Sequence, residues 1–240
     1  MRRRLRPYRY AALFVAAALI GAAFYFTRDI PVLIYKDPQK IVVLDAGHGG
    51  FDGGAQSRSG ISEKTLNLQV AKKLELLLLQ RGYTVIMTRE GDYALQDDGE
   101  SGKPADLKAR VKIAEEHSEG IFVSIHMNKF AVAKYCGSQV FFAKKSETAG
   151  VLAEKIQTCL REGLQPDNTR LSKPADRDIY LLENLEMPAV IVECGFLSNP
   201  AEALMLTSDT YQASLAECIA DGIDSFYNPD EVNSLYEMGT

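Results

Sequence analysis

IVVLDAGHGG, residues 41–50, decides how the rest of the chain is read. Four apolar residues, three of them β-branched, run directly into Asp45 and then into a turn with three glycines around His48. A run this short and unalternating, closed by glycine, reads as a strand buried on both faces rather than as part of a helix. Such strands belong to parallel sheets covered by helices on both sides.

The same grammar continues outward. Glu63–Arg81 has the pattern of a long amphipathic helix, with Gly82 placed to cap its end. Tyr83–Met87 (YTVIM) is a strand, and Ala105–Ser118 is a helix with Pro104 near its start. Ile121–Ile125 (IFVSI) and Gly137–Ala143 (GSQVFFA) are further strands, followed by a helix over Ser146–Glu162. Polar Gln165–Arg177 reads as a surface loop and Ile179–Leu182 as a short strand. Ala189–Val192 (AVIV) is a strand, and Asp209–Tyr227 closes the pattern as a helix. Strands alternating with helices of this length predict an α/β fold, a mostly parallel twisted sheet with helices on both faces.

The ends differ from this body. Arg2, Arg3, Arg4, Arg6 and Arg9 precede Tyr10–Phe26, a run without a charged residue. At about 1.5 Å per residue, such a helix nearly spans a bilayer core of roughly 30 Å. Arginines before the run and none within it predict a cytoplasmic N-terminus and an exported body. Gly21-Ala22-Ala23 would suit a cleavage site. The length and the bulky Phe24, Tyr25 and Phe26 favour an uncleaved anchor instead. The expected organisation is a basic region over 1–9, a transmembrane anchor over 10–26 and a tether over 27–40. A catalytic domain over 41–227 and a tail over 228–240 follow, with the domain on the extracytoplasmic side of the membrane.

With a net charge of −5 overall and five arginines in the first nine residues, the remainder carries −10. An acidic body excludes a nucleic-acid binder, which needs lysine and arginine gathered on one face. The four cysteines, Cys136, Cys159, Cys194 and Cys218, contain no CxxC pair. They read as free thiols rather than as a zinc site, although export would permit disulfides.

Three apolar runs end in chemistry: the first in Asp45 and His48, the second in His126, the third in Glu193. In a parallel sheet the carboxyl ends of the strands share one edge, where ligands bind. Two histidines and two carboxylates from distant sequence therefore converge. Two histidines and one carboxylate form a common catalytic zinc set with a position left for water, and a further carboxylate can shuttle the proton. The glycine-rich loop from His48 to Glu63 can fold back and offer Glu63 as the third ligand. Each residue also has a plainer reading. A histidine after a strand is more often simply packed, and Glu63 alone suits a helix N-terminus. Asp45 and Glu193 are harder to dismiss, because a carboxylate beside a buried strand is costly unless paired. His117, in the charged helix end EEHSEG, is assigned no function.

At these positions the sequence resembles the zinc-dependent N-acetylmuramoyl-L-alanine amidases known as amidase 3. The matching segments are Val43–Ala55, Gly60–Leu68, Thr88–Asp92, Leu107–Arg110, Val123–Asn128 and Pro188–Pro200, in family order. The resemblance implies that His48, Glu63 and His126 bind zinc and that Glu193 is the catalytic acid/base. It implies hydrolysis of the amide between N-acetylmuramic acid and L-alanine in peptidoglycan. It suggests Asp45 as an orienter of a ligand histidine and Asn128 as a substrate contact. An anchor followed by a bare catalytic domain is similar to the germination-specific amidases of endospore formers, which prepare spore-cortex muramic acid for δ-lactam formation. An activating protein partner is compatible with this family. Cys194 departs from many relatives and is expected to point away from Glu193, since strand neighbours face opposite sides. The competing reading is a peptidoglycan-binding or regulatory module that does not cut. Other zinc hydrolases are disfavoured by the absence of HxH and HExxH spacings, and a serine route by the absence of GxSxG.

Overall fold

The computed structural model describes residues 40–96, 99–176 and 179–228. The basic region, the anchor, nearly all of the tether and the tail from 229 lie outside the described residues. Among the described residues no helix is long and apolar enough to cross a membrane.

The expected strand IVVL is β1 (Ile41–Ala46), buried at every position. The glycine-rich loop leads to α1 (Glu63–Gln80), then β2 (Thr84–Met87), α2 (Lys103–Glu115), β3 (Ile121–Asn128) and β4 (Gln139–Phe142). The chain continues through α3 (Ala149–Gly163), β5 (Lys173–Pro174), α4 (Tyr180–Asn184), β6 (Ala189–Phe196), α5 (Pro200–Leu206) and α6 (Asp209–Tyr227). The six strands form one sheet in the order β2-β1-β3-β6-β4-β5.

The α/β class is as expected, but the sheet is mixed. β2, β1, β3 and β6 are parallel neighbours, whereas β4 runs antiparallel to β6 and carries β5 with it. Only residues 129–138 separate β3 from β4. That is too short for the helical crossover a parallel return requires.

Strand alternation sorts the core into two layers. Val42, Leu44, Ile121, Val123, Ile125, Val190 and Val192 pack with leucines of α1, α3 and α6, including Leu74, Leu78, Leu152 and Leu215. Val43, Phe122, Ala189 and Ile191 face the other way, onto Val111 and Ala114 of α2 and Leu181, Leu182 and Leu185 around α4. Both faces are therefore covered by helices.

Three local expectations are corrected. Ile179–Leu182 is not a strand: it opens α4. A strand would send Leu181 and Leu182 to opposite faces, whereas both join Leu185 in one cluster, which helical spacing permits. Gln165–Arg177 is not wholly a surface loop, because Asn168 and Ala175 are buried and Lys173–Pro174 adds an edge strand to β4. α5 was not anticipated. Its signal is Asn199 before Pro200: the Asn199 Oδ1 accepts from the Ala201 and Glu202 amides at 3.1 and 3.3 Å, and proline suits the first helical turn.

Candidate metal centre and active site

β3 and β6 run further than their apolar cores suggest, so His126 and Glu193 lie within strands. They face each other in register, and Glu193 also pairs with Gln139 of β4. Three polar side chains thus form a row across the carboxyl edge of β3 and β6.

His48 arrives by a tight turn after β1. It is the only non-glycine residue with a positive φ, 62°, among the described residues. Such a backbone costs of order 1–3 kcal/mol and persists only where its surroundings over-determine it. Two buried arginines do so here. Arg89 donates from Nε to the Ala46 carbonyl at 2.7 Å and from Nη2 to the Gly47 carbonyl at 3.0 Å. Arg110 donates from Nη1 to the Ala46 carbonyl at 3.0 Å and from Nη2 to the His48 carbonyl at 2.8 Å.

The glycine-rich loop folds back as its composition suggests. Glu63 donates its amide to the Ala55 carbonyl at 2.9 Å and accepts from the Ala55 amide on Oε2 at 2.6 Å. Its Oε1 lies 3.2 Å from His48 Nε2 and 3.0 Å from His126 Nδ1. Two glycines are required by this crowding. A Cβ on Gly47 would fall 2.1 Å from His126 Nε2, and one on Gly54 would fall 2.6 Å from both Glu63 Oε2 and His48 Cδ2.

His48, Glu63 and His126 each offer one ligand atom, all within 4.8 Å of one another. Bonds of about 2.1 Å in a tetrahedron separate neighbouring ligand atoms by about 3.4 Å. The 3.0 and 3.2 Å separations about Glu63 Oε1 are close to that spacing. Two imidazole nitrogens and one carboxylate oxygen also match zinc's ligand preference. The residues therefore fit a zinc ion.

The electrostatics agree with such a group. Burial alone would raise the Glu63 carboxyl, but hydrogen bonds from His126 and His48 outweigh it and hold the group well below the usual carboxylate range. Burial would lower His48, yet Glu63 and Asp52 raise it. Glu193 is the opposite case. Its Oε2 is sealed from solvent and has no hydrogen-bond partner among the described residues. Burial pushes its pKa up to about 7, against the pull of the charges on His126 and His48 and with a push from Glu63.

Asp45 does not orient a histidine, which corrects that expectation. It accepts from Arg110 Nη1, from Thr88 Oγ1 at 2.6 Å and from Ser124 Oγ at 2.5 Å. Burial would raise its pKa, but Arg110 and these hydroxyls prevail and lower it. The orienting carboxylate is Asp52, whose Oδ2 lies 2.9 Å from His48 Nδ1. A proton on Nδ1 leaves Nε2 free to face the site. Asp52, Arg89 and Arg110 escaped sequence reasoning, although each sits in one of the matched segments. Cys194 points into the core with Val192, away from Glu193. Asn128 lines a cleft beside the row, and His117 only takes part in the turn after α2.

A histidine–carboxylate–histidine group, with a second carboxyl held near neutrality on the same sheet edge, defines a class: hydrolases equipped to hold a divalent metal. The chain belongs to the N-acetylmuramoyl-L-alanine amidase family, whose sequence profile matches residues 42–225, and it is such an amidase. It is similar to the germination-specific N-acetylmuramoyl-L-alanine amidase of Bacillus subtilis, with 38% identity over 78% of this chain and 80% of the relative. Similarity to AmiA of Escherichia coli is 28%, over 79% of this chain and 77% of the relative. The CwlD amidase of Clostridioides difficile, solved in complex with the GerS lipoprotein, superposes with a TM-score of 0.72 and 38% identity. That match covers 80% of this chain and all (100%) of that one.

Proposed function

We propose that this protein is a zinc-dependent hydrolase of the amide between N-acetylmuramic acid and L-alanine, acting in spore-cortex maturation and germination. In this reading His48, Glu63 and His126 hold the zinc and Glu193 moves the proton. The observation that carries it is the buried Glu193 Oε2, without a hydrogen-bond partner among the described residues, beside a donor set that suits zinc.

The ion, when bound, would polarise the scissile carbonyl and acidify a water. Glu193 accepts a proton from the attacking water and returns it to the leaving amine of L-alanine. Burial raises the affinity of this carboxyl for a proton, which suits a group that takes one up and returns it. Asp52 keeps the proton on His48 Nδ1, and the buried arginines hold the turn that presents that ring. Peptide removal would leave a free lactyl carboxylate, the group needed for muramic δ-lactam formation.

The cortex role is supported by similarity to the germination-specific amidase. An activating partner is supported by the complex of the similar CwlD amidase with a lipoprotein. The residue 10–26 segment is the proposed membrane anchor, with the domain on the extracytoplasmic side.

Mass spectrometry of muropeptides tests the chemistry. Full-length protein in detergent is incubated with cortex and vegetative sacculi, with zinc or with chelator. Free stem peptides beginning in L-alanine, released only with zinc, are expected. Glu193→Gln should keep its zinc and lose at least about 100-fold in turnover. Near-normal turnover in that variant would remove Glu193 from the role.

A further inference from the structure

A cleft of about 310 Å³ lies beside the Glu193 row, with Asn128, Phe130, Gln139 and Phe196 in its wall. Gln139 is the direct cross-strand partner of Glu193, so the cleft begins one strand spacing, about 4.8 Å, from the proposed proton carrier. A larger cavity of about 750 Å³ lies across Tyr135 and Arg170, and none of its lining residues belongs to the histidine–glutamate group.

Two cations stand on the smaller cleft's aromatic wall. The Arg170 guanidinium carbon lies 4.7 Å from the Phe196 ring centre and 5.9 Å from that of Tyr135. Its Nε donates to the Cys136 carbonyl at 2.9 Å, and its Nη1 donates to Gln139 Oε1 at 3.3 Å. Nη2 has no acceptor among the described residues. Lys173 Nζ lies 5.7 Å from the Phe141 ring centre.

Neither cation forms an ion pair with a carboxylate among the described residues. Glu202 feels the charge of Arg170, but its oxygens are engaged by the Gly137 and Phe196 amides, each at 2.8 Å. The guanidinium thus stands over two aromatic rings with Nε and Nη1 engaged and Nη2 without an acceptor among the described residues. A cation held in this way can make a charge-assisted hydrogen bond from Nη2 to a carboxylate.

We propose that Arg170, assisted by Lys173, is a subsite for a free carboxylate of the stem peptide on the leaving side of the scissile amide. This rests on the amidase assignment. Every unblocked stem peptide ends in a carboxylate, and any acidic residue in it adds another. A substrate running from Glu193 past Gln139 along this cleft meets Arg170 Nη2 next. The enzyme then distinguishes peptide stems by their charge.

The test uses zinc-loaded, full-length protein in detergent and two muramoyl peptides, one with free carboxylates and one with them converted to carboxamides. Wild type is expected to favour the acid form in kcat/KM by about 10- to 100-fold, the scale of one charge-assisted contact. Arg170→Gln should bring that preference to within about 3-fold on the same scale, mainly through the KM of the acid form, and leave the amidated substrate nearly unchanged. Lys173→Gln, a change at an exposed edge, should narrow the preference in the same direction. Equal use of both substrates by wild type would overturn the subsite while leaving the amidase reading intact. So would an equal loss on both substrates in either variant. Release of L-alanyl peptide from neither substrate would overturn both.

Discussion

Replacing Arg110 by methionine tests the physical account of the site most directly. Arg110 is 1% exposed, and its partners are Asp45 Oδ1, both Asp106 carboxylate oxygens and the Ala46 and His48 carbonyls. Methionine fills much of the space but leaves Asp45 as a fully buried charge with only two hydroxyl donors. Breaking one side of a buried pair costs about 3–5 kcal/mol, a large share of a domain's total of about 5–15 kcal/mol. With a urea m-value of about 2 kcal/mol/M, the midpoint should fall by about 2 M without a change in slope. The loss should depend on pH. In the wild type Asp45 has a lowered folded pKa, so its contribution is present above the unfolded value of about 3.9 and lost as pH falls through the folded value. In the variant, burial is no longer opposed by the guanidinium and the folded pKa rises. Protonation then relieves the unpaired charge, and the gap to wild type should shrink between pH 8 and pH 5. Urea titrations at both pH values measure this. A loss under 1 kcal/mol, or one equal at the two pH values, would refute the claim that Arg110 chiefly compensates Asp45.

Asp52→Ala should keep the fold, because Asp52 is partly exposed. Zinc affinity, read by competition with a chromogenic chelator, should drop by about 10- to 100-fold as His48 loses its orienting partner. Gly47→Ala places a methyl 2.1 Å from His126 Nε2 and must displace that ring. It should lose both bound zinc and turnover, while far-ultraviolet circular dichroism changes little; full zinc content would contradict the packing described.

The strand-helix rhythm and the three strand ends were legible because they depend on local composition and period. Buried parallel strands must be apolar throughout, so a charged residue at the end of one stands out; this is why His126 and Glu193 could be singled out. Glu63 was half legible, since its glycine-rich loop permits a return to His48 without specifying one. The reversal of β4 was available from the ten residues before it, which cannot hold a crossover helix, but the apolar run of β4 itself does not encode direction.

Other features belong to the tertiary structure alone. Arg110 lies in a helix with a mixed charge pattern that reads as solvated, and only the packing of α2 against β1 puts it opposite Asp45. Asp52 is an ordinary loop acid until the turn brings it to His48 Nδ1. Arg170 acquires its role only when β5 adds to the sheet edge and Phe196 comes beneath its guanidinium. The sequence by itself determined which segments are buried and which titratable groups end them, because burial is written in hydrophobic period. The tertiary structure decided which carboxylate meets which cation or ring, because such pairing depends on distances across the sheet that no local pattern records.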